Sequence, residues 1–513
     1  MGLSDMIARA RSASANTRSS SGWSPADSLP SGFQSTSGTY SLPLSSFSSL
    51  EFATDKGQWS KGTVLFTREQ SGGSGLPSYG APPPALDGKE QISEIKVQVE
   101  ARSNSEALLN GWKVTVLDEG YVAGLKLETT DSSPLAAALS FHVTFILPAS
   151  LTGLNGLRVN SNGFRLLFDS SLASNFAIAS LSLRTTDAPI RLSLTNAGDV
   201  RISNENILDP DKGGIKCPGD LVSGSVQAES ISLEVQNGSI SGNYTSTVGP
   251  ISAATTNFPI TGSFTARTTL HLSTSNSTLA GEFTSLAPPS ATSSVAGITV
   301  ETAQGKVEGT FHAPSGVRVT SQNCPIVGSF TVGALLVLKT THFKIEGKIR
   351  LLSPSSALLP DTVVGSPSPS VLSAGSAEPP SFQEALRQGA SSSTAAGGTS
   401  RAQVLAETTE GALFLEFEDH PADVVVALEA SSTRGGKVGV KHPAGWEGSF
   451  TASTGLMNSA SLDFPPSSLT GASSITPEVN YTVKKRSEIA GTVGNGGNST
   501  KLSGTNSVDI VVG

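Results

Sequence analysis

The sequence predicts an all-β fold of one kind, a single-stranded β-helix or solenoid with coils of 19 to 20 residues, and three observations predict it. The first is a recurring unit of a large aliphatic residue, any residue, Gly, any residue and a large apolar residue. It stands at Ile240-Gly242-Tyr244, Ile260-Gly262-Phe264, Leu279-Gly281-Phe283, Val307-Gly309-Phe311, Ile326-Gly328-Phe330 and Ile345-Gly347-Ile349. Its glycines are 20, 19, 28, 19 and 19 residues apart, the long interval being 19 plus a nine-residue insert around Ala287 to Val295. The second is an alternating apolar run in each unit, such as Ile231-Leu233-Val235 or Leu270-Leu272, so that two short strands and two turns fill one coil. The third is composition. Only 15% of the residues are charged and 6% aromatic, while Ser and Thr number 128 of 513, which suits β-ladders and short turns rather than helices.

Positions i, i+2 and i+4 of a strand share a face. The two bulky residues and the Gly of each unit are therefore expected to point inward, with Gly easing a bend around a narrow interior. A weaker copy, Val222-Gly224-Val226, precedes the series. Trp446-Gly448-Phe450 and Ile489-Gly491-Val493 extend it, 43 residues apart, as further coils of the same array. Three residues ahead of the units stand Asn237, Asn257, Asn276, Gln304, Asn323 and His342, with Asp187 ahead of Ile190. Asn, Asp and His tolerate a left-handed backbone and hydrogen-bond their own turns, so this row is expected to be a turn ladder along one edge of the stack. A lone coil leaves its ladder groups and apolar face open, and it folds only against neighbours.

In chain order, residues 1–50, with 16 Ser, are expected to be disordered. Residues 51–180 read as a β-rich N-terminal part that caps the array, with strands around Val64, Ile95, Trp112, Leu125 and Leu139 to Leu147. Residues 181–352 hold the regular coils. Within them, Asn204 to Asp220 reads as a surface loop, because Asp209 to Gly213 lacks the third acidic ligand and the distal Glu of a calcium loop. Residues 353–402 read as a low-complexity flexible loop with a helical turn at Phe382 to Arg387. Residues 403–513 read as C-terminal coils of the same solenoid, the strands around Leu413 and Val424 covering the edge left after Leu351.

Chemistry-bearing motifs are missing from the sequence. There is no nucleophile elbow, phosphate loop, dinucleotide fingerprint or His-Glu-x-x-His. The six histidines lack ligand spacing, and His271 and His312 are expected on solvent-facing strand positions. Polysaccharide-cleaving solenoids need clustered carboxylates, yet Ile231 to Leu351 contains no Asp, and Glu234, Glu282, Glu301, Glu308 and Glu346 are scattered over outward positions. Catalytic residues, cofactor and metal are accordingly all expected to be none. A net charge of −8 without a basic stripe excludes a nucleic-acid binder, and Lys484-Lys485-Arg486 reads as a solvated turn. Cys217 and Cys324, each followed by Pro, read as free thiols, with a single bridge between them as the alternative in an oxidising compartment. No apolar run is long enough for a transmembrane segment and none has the form of a signal peptide, so the default expectation is cytoplasmic, or cell surface should the N-terminus be incomplete.

The strings Thr255 to Phe264 and Ser321 to Phe330 share the form Thr/Ser-x-Asn-x-Pro-Ile-x-Gly-Ser-Phe. Together with the run from Trp446 to Thr454, they resemble the adhesin family of β-solenoid domains, most of all its fungal members. The resemblance covers roughly Leu181 to Gly513. It implies a β-helix or roll and an adhesive role, with a protein or carbohydrate surface as partner. The expected function is a non-enzymatic structural or adhesin-like solenoid. The alternatives are a carbohydrate-active or carbohydrate-binding β-helix, which a groove lined by carboxylates and aromatics would favour, and an intracellular scaffold.

Overall fold

The computed structural model describes residues 33–44, 49–55, 61–69, 93–119, 122–129, 139–173, 176–205, 220–288, 296–353, 400–455, 458–463 and 479–512. Cys217, the Asp209 to Gly213 loop and the Phe382 to Arg387 turn lie outside them. Among the described residues nearly every element is a strand, apart from one short helix, Glu106–Asn110, and one 3-10 turn, Ser170–Leu172. The fold is a β-solenoid.

Each regular coil contributes one strand to each of two stacks. Ile251–Thr255 belongs to one stack, a four-residue turn follows, Ile260–Ala266 belongs to the other, and Leu270–Thr274 begins the next coil. The stack carrying the glycine repeat, here the signature sheet, runs in parallel register through Ser239–Ser246, Ile260–Ala266, Leu279–Ser285, Val307–Ala313, Ile326–Val332 and Ile345–Leu351. The companion sheet runs in the same way through Ile251–Thr255, Leu270–Thr274, Ile298–Thr302, Val317–Ser321 and Leu335–Thr340. Two long strands, Ile190–Glu205 and Asp220–Gln236, turn the corner without a loop and join both stacks, the first with a bulge between Leu194 and Ala197. Alternate residues of both stacks are buried in one continuous apolar cluster. Along it the rings of Tyr244, Phe264, Phe283, Phe311 and Phe330 lie stacked with centroids 5.1, 5.9, 5.0 and 5.1 Å apart.

The glycines Gly224, Gly242, Gly262, Gly281, Gly309, Gly328 and Gly347 form a single column. The reason for glycine differs from the expected one over part of it. Gly242, Gly262 and Gly281 have φ of 128, 126 and 153°, and a Cβ on each would come within 2.0 Å of the carbonyl oxygen of the glycine one coil back. What forbids a side chain there is the neighbouring backbone, not a filled interior. At Gly347 the nearest atoms are instead side chains, Leu415 and Phe330 at 3.3 Å, as the inward reading requires. Flanking the column, the same register position holds Leu192 before Gly224 and Leu415 after Gly347.

The Asn row forms a ladder, but for two reasons rather than one. Only Asp187 and Asn237 adopt positive φ, 53 and 57°. Further along, Asn257 Nδ2 donates to Asn237 Oδ1 and Asn276 Nδ2 donates to Asn257 Oδ1 at 2.7 Å, so the amides link successive coils. In the Asn323 turn the backbone N–H of Asn323 donates to Ala303 O at 3.0 Å. Inside this edge runs a second ladder of buried hydroxyls at the end of each companion strand. Thr255 donates to Gly238 O at 2.7 Å, Thr340 to Cys324 O at 2.9 Å, Thr408 to Phe343 O at 3.1 Å and Ser432 to Gly411 O at 3.0 Å. Each donates to a turn carbonyl one coil back, the Cys324 carbonyl also accepting from Ser321 at 3.2 Å, while the Thr302 hydroxyl at the same position is buried without a partner. Cys324 is a buried free thiol in one of these turns.

The stacks continue past residue 353. Leu335–Thr340 pairs with Ser400–Thr408, and Ile345–Leu351 pairs with Leu413–Asp419, both in parallel. The strand expected at Val424 stands one coil further on, against Ser400–Thr408.

Both ends of the array depart from sequence order. The coil Val424–Ser432 and Val438–His442 is followed in space by Asn498–Gly504 and Val508–Val512, and only then by Gly448–Ser453 and Ala460–Asp463. The coil Ser49–Thr54 and Lys61–Arg68 likewise lies between the strands Val122–Thr129 and Ser140–Leu147 on one side and Gly156–Asn160 and Phe164–Phe168 on the other. The late copies of the signature are therefore corrected. Gly448 and Gly491 lie on the companion sheet, where Phe450 faces Gly491 in an antiparallel pair, and the glycine column is continued by Leu415, Val440 and Ile510. Their local string matches, but their partners do not.

A second correction concerns residues 1–50. Gln34–Leu44 is a strand, paired antiparallel with Ser93–Ser103, which itself pairs antiparallel with Ser140–Leu147. Among its residues 34–42 only Leu42 is buried, with Tyr40 half-buried against the core, so the segment is placed mainly by its ladder. At the far end Val479–Lys485 is the last strand of the companion sheet, with Lys484 Nζ 4.7 Å from the Tyr481 ring centre. Charge on an edge strand discourages further pairing.

Candidate ligand-binding groove

The outward residues of a parallel stack fall into straight columns, one at each alternate strand position. On the signature sheet one column reads Glu308, Val327, Glu346, Phe414, Gly439 and Asp509, and the next reads Thr310, Ser329, Lys348, Glu416, Lys441 and Val511. A groove of about 490 Å³ crosses five of these coils, from Ser329 to Val511. This is within the range of ligand sites, roughly 300–1,000 Å³.

Its centre is Phe414, a large apolar residue that stays 41% exposed although it sits mid-sheet. The ring leans across the next coil at Gly439, where a Cβ would come within 3.0 Å of Cδ1. Glycine at 439 is thus what lets the ring lie down. Three carboxylates and three ammonium groups rim the groove: Glu346, Glu416 and Asp509 with Lys348, Lys437 and Lys441. Glu416 pairs with Lys441 at 2.9 Å and Asp509 with Lys437 at 2.8 Å, while Glu346 pairs with Lys344 at 2.8 Å. The hydrogen bond from Lys441, helped by the charges of Lys441 and Lys348, holds Glu416 below the usual carboxylate range. It is a hydrogen-bond acceptor at neutral pH and no proton donor.

The residues singled out in the sequence occupy structural positions. Gly242, Gly262 and Gly281 hold the bend of the signature strands, and only Gly328 and Gly347 of the column reach the groove floor. Asn237, Asn257 and Asn276 line the turn edge. His271 and His312 are not brought together, since they lie on opposite sheets. Glu308 and Glu346 share one column with Val327 between them, as the spacing requires. Phe414 carried no motif signal: the alternation Leu413-Leu415-Phe417 puts it on the outward face beside Glu416, but a lone outward apolar residue does not mark a site. Among the described residues no group of three His, Cys, Asp or Glu could hold a metal ion, and no helix is long and apolar enough to cross a membrane.

Comparison with family models, with curated proteins and with solved structures gave no match to this chain.

Proposed function

We propose that this chain is a non-enzymatic, adhesin-like solenoid, a rod that holds a ligand on its outer sheet surface without transforming it. What supports the reading is the charge state of the groove. General acid catalysis on a glycosidic bond needs a carboxyl group whose pKa is raised so that it carries a proton. Each acid of the groove is instead tied to a lysine, and Glu416 is shifted the other way. Paired charges on a sheet face suit binding, since they set donors and acceptors side by side along the outer surface.

The test is retention with product analysis. Beads carrying a neutral polysaccharide or an unrelated protein are passed over a surface coated with the full chain. Retention of one bead class, with no soluble fragments released, is the expected result. Continuous release of shortened chains, or no retention of either class, overturns the reading.

A further inference from the structure

Building on that reading, we infer that the groove around Phe414 binds a neutral oligosaccharide, the ring lying under the C–H face of a sugar and the flanking Lys and Glu side chains meeting its hydroxyls. Four features of the groove converge on this class of ligand.

Phe414 is an exposed ring in a column otherwise made of Val327, Gly439 and charged residues, and Gly439 keeps the ring down against the sheet. The face of an aromatic ring carries partial negative charge. It therefore attracts the weakly positive C–H groups that cover one side of a pyranose, and it also removes that apolar side from water. The groove charge is balanced, with Lys348, Lys437 and Lys441 against Glu346, Glu416 and Asp509. A nucleic acid, an acidic glycan or an anionic membrane gains little from such a rim, since association of those ligands is driven by neutralising their charge. A hydroxyl, which both donates and accepts, uses ammonium and carboxylate equally well.

Position in the sheet supplies the third feature. A peptide added as a strand needs an open sheet edge with unpaired N–H and C=O groups. The groove lies on the face of strands paired on both sides, so its floor offers no ladder to extend. The fourth feature is length. Five coils at ~4.8 Å spacing give roughly 19 Å between the outermost strands, room for several sugar units in a row along the column.

The experiment titrates the full chain calorimetrically with neutral hexasaccharides of glucose in α-1,4, β-1,3 and β-1,4 linkage, of mannose and of N-acetylglucosamine. An acidic glycan and an extended neutral peptide serve as comparison probes. At least one neutral hexasaccharide is expected to bind. Phe414→Ala should weaken it tenfold or more and Gly439→Leu should weaken it as well, both with unchanged melting temperature. Phe343→Ala, which removes an exposed ring outside the groove, should leave binding unchanged. Binding of no neutral sugar, equal binding by Phe414→Ala, or preference for the acidic glycan or the peptide overturns the inference. The two readings fail separately: shortened sugars at the end of the titration defeat the non-enzymatic role while leaving the site, whereas bead retention without sugar binding defeats the site alone.

Discussion

The central coils and the two ends of this solenoid are built from the same strands and held by opposite logics. Between Ser239 and Leu351 each coil pairs with its neighbours in sequence, column upon column. At each end a coil is seated between two others that are not its sequence neighbours on both sides. A central coil is replaceable because the coils above and below it present matching registers. An end coil is not, because its removal separates two surfaces that never meet elsewhere.

Deletion experiments give the largest contrast. Removing Asn498 to Val512 strips Leu502, Val508, Ile510 and Val512 from the core and uncovers both neighbouring coils. At about 2 kcal/mol for each lost apolar side chain, the C-terminal coils should lose their cooperative transition in a denaturant melt. Excising one central coil, Val307 to Pro325, should instead leave a folded, shorter rod. Phe283 would then stack on Phe330 in place of Phe311. A folded chain after the first deletion, or an unfolded one after the second, breaks the comparison.

Acid should separate the same regions. His442 is fully buried, stacked between Phe417 and Trp446 with centroids 5.1 and 4.4 Å away, and its Nε2 lies 3.0 Å from Thr500 of the inserted coil. Burial, aided by the nearby His420, lowers its pKa to about 3. A folded-state value below the unfolded one means that the unfolded chain takes up the proton first. Stability is therefore intact above about pH 6.5 and falls as pH drops from there toward 3, by a total on the order of 5 kcal/mol. Urea midpoints should decline over that window, and His442→Phe should flatten the decline. A wild-type midpoint that stays level from pH 7 to 4 contradicts the assignment.

Within the central coils the glycine column supplies a finer contrast. Gly262→Ala should cost roughly 1–3 kcal/mol, because φ of 126° is poorly adopted by alanine and its Cβ would meet the Gly242 carbonyl. Gly347→Ala, with only side chains at 3.3 Å and no positive φ, should cost under about 1 kcal/mol. Equal denaturation midpoints for the two would show that the bend does not set the requirement. The smallest effect is expected at the turn edge, where Asn257→Ala removes amide links to Asn237 and Asn276 at exposed positions. A loss under about 0.5 kcal/mol is expected there, read as the shift of the urea midpoint.

The periodic coils were legible in the sequence because a stack of like units imposes one spacing on inward, corner and turn residues at once. Positions such as Ile260, Gly262 and Phe264 report the same fact three times. The hydroxyl ladder was also written there, as a Ser or Thr two residues after the second apolar position in Ile251-Ala253-Thr255 and Leu270-Leu272-Thr274, but polar residues in a Ser/Thr-rich chain attract no notice. The ends were not legible. Trp446-Gly448-Phe450 and Ile489-Gly491-Val493 carry the local pattern of the array, and which strand each one meets depends on partners far along the chain. The groove is harder still, since Phe414, Gly439 and Asp509 become neighbours only through the register of three separate strands.

The seating of the last described coil also sets how the rod answers force. Tension applied beyond Val512 would act on a strand held along both sides, by Val438–His442 and by Ala460–Asp463. Such a strand must slide out of two ladders at once, breaking its hydrogen bonds together. A terminal strand bonded along one side could be peeled away one bond at a time. Intercalation thus adds a second ladder that has to break before this end comes free.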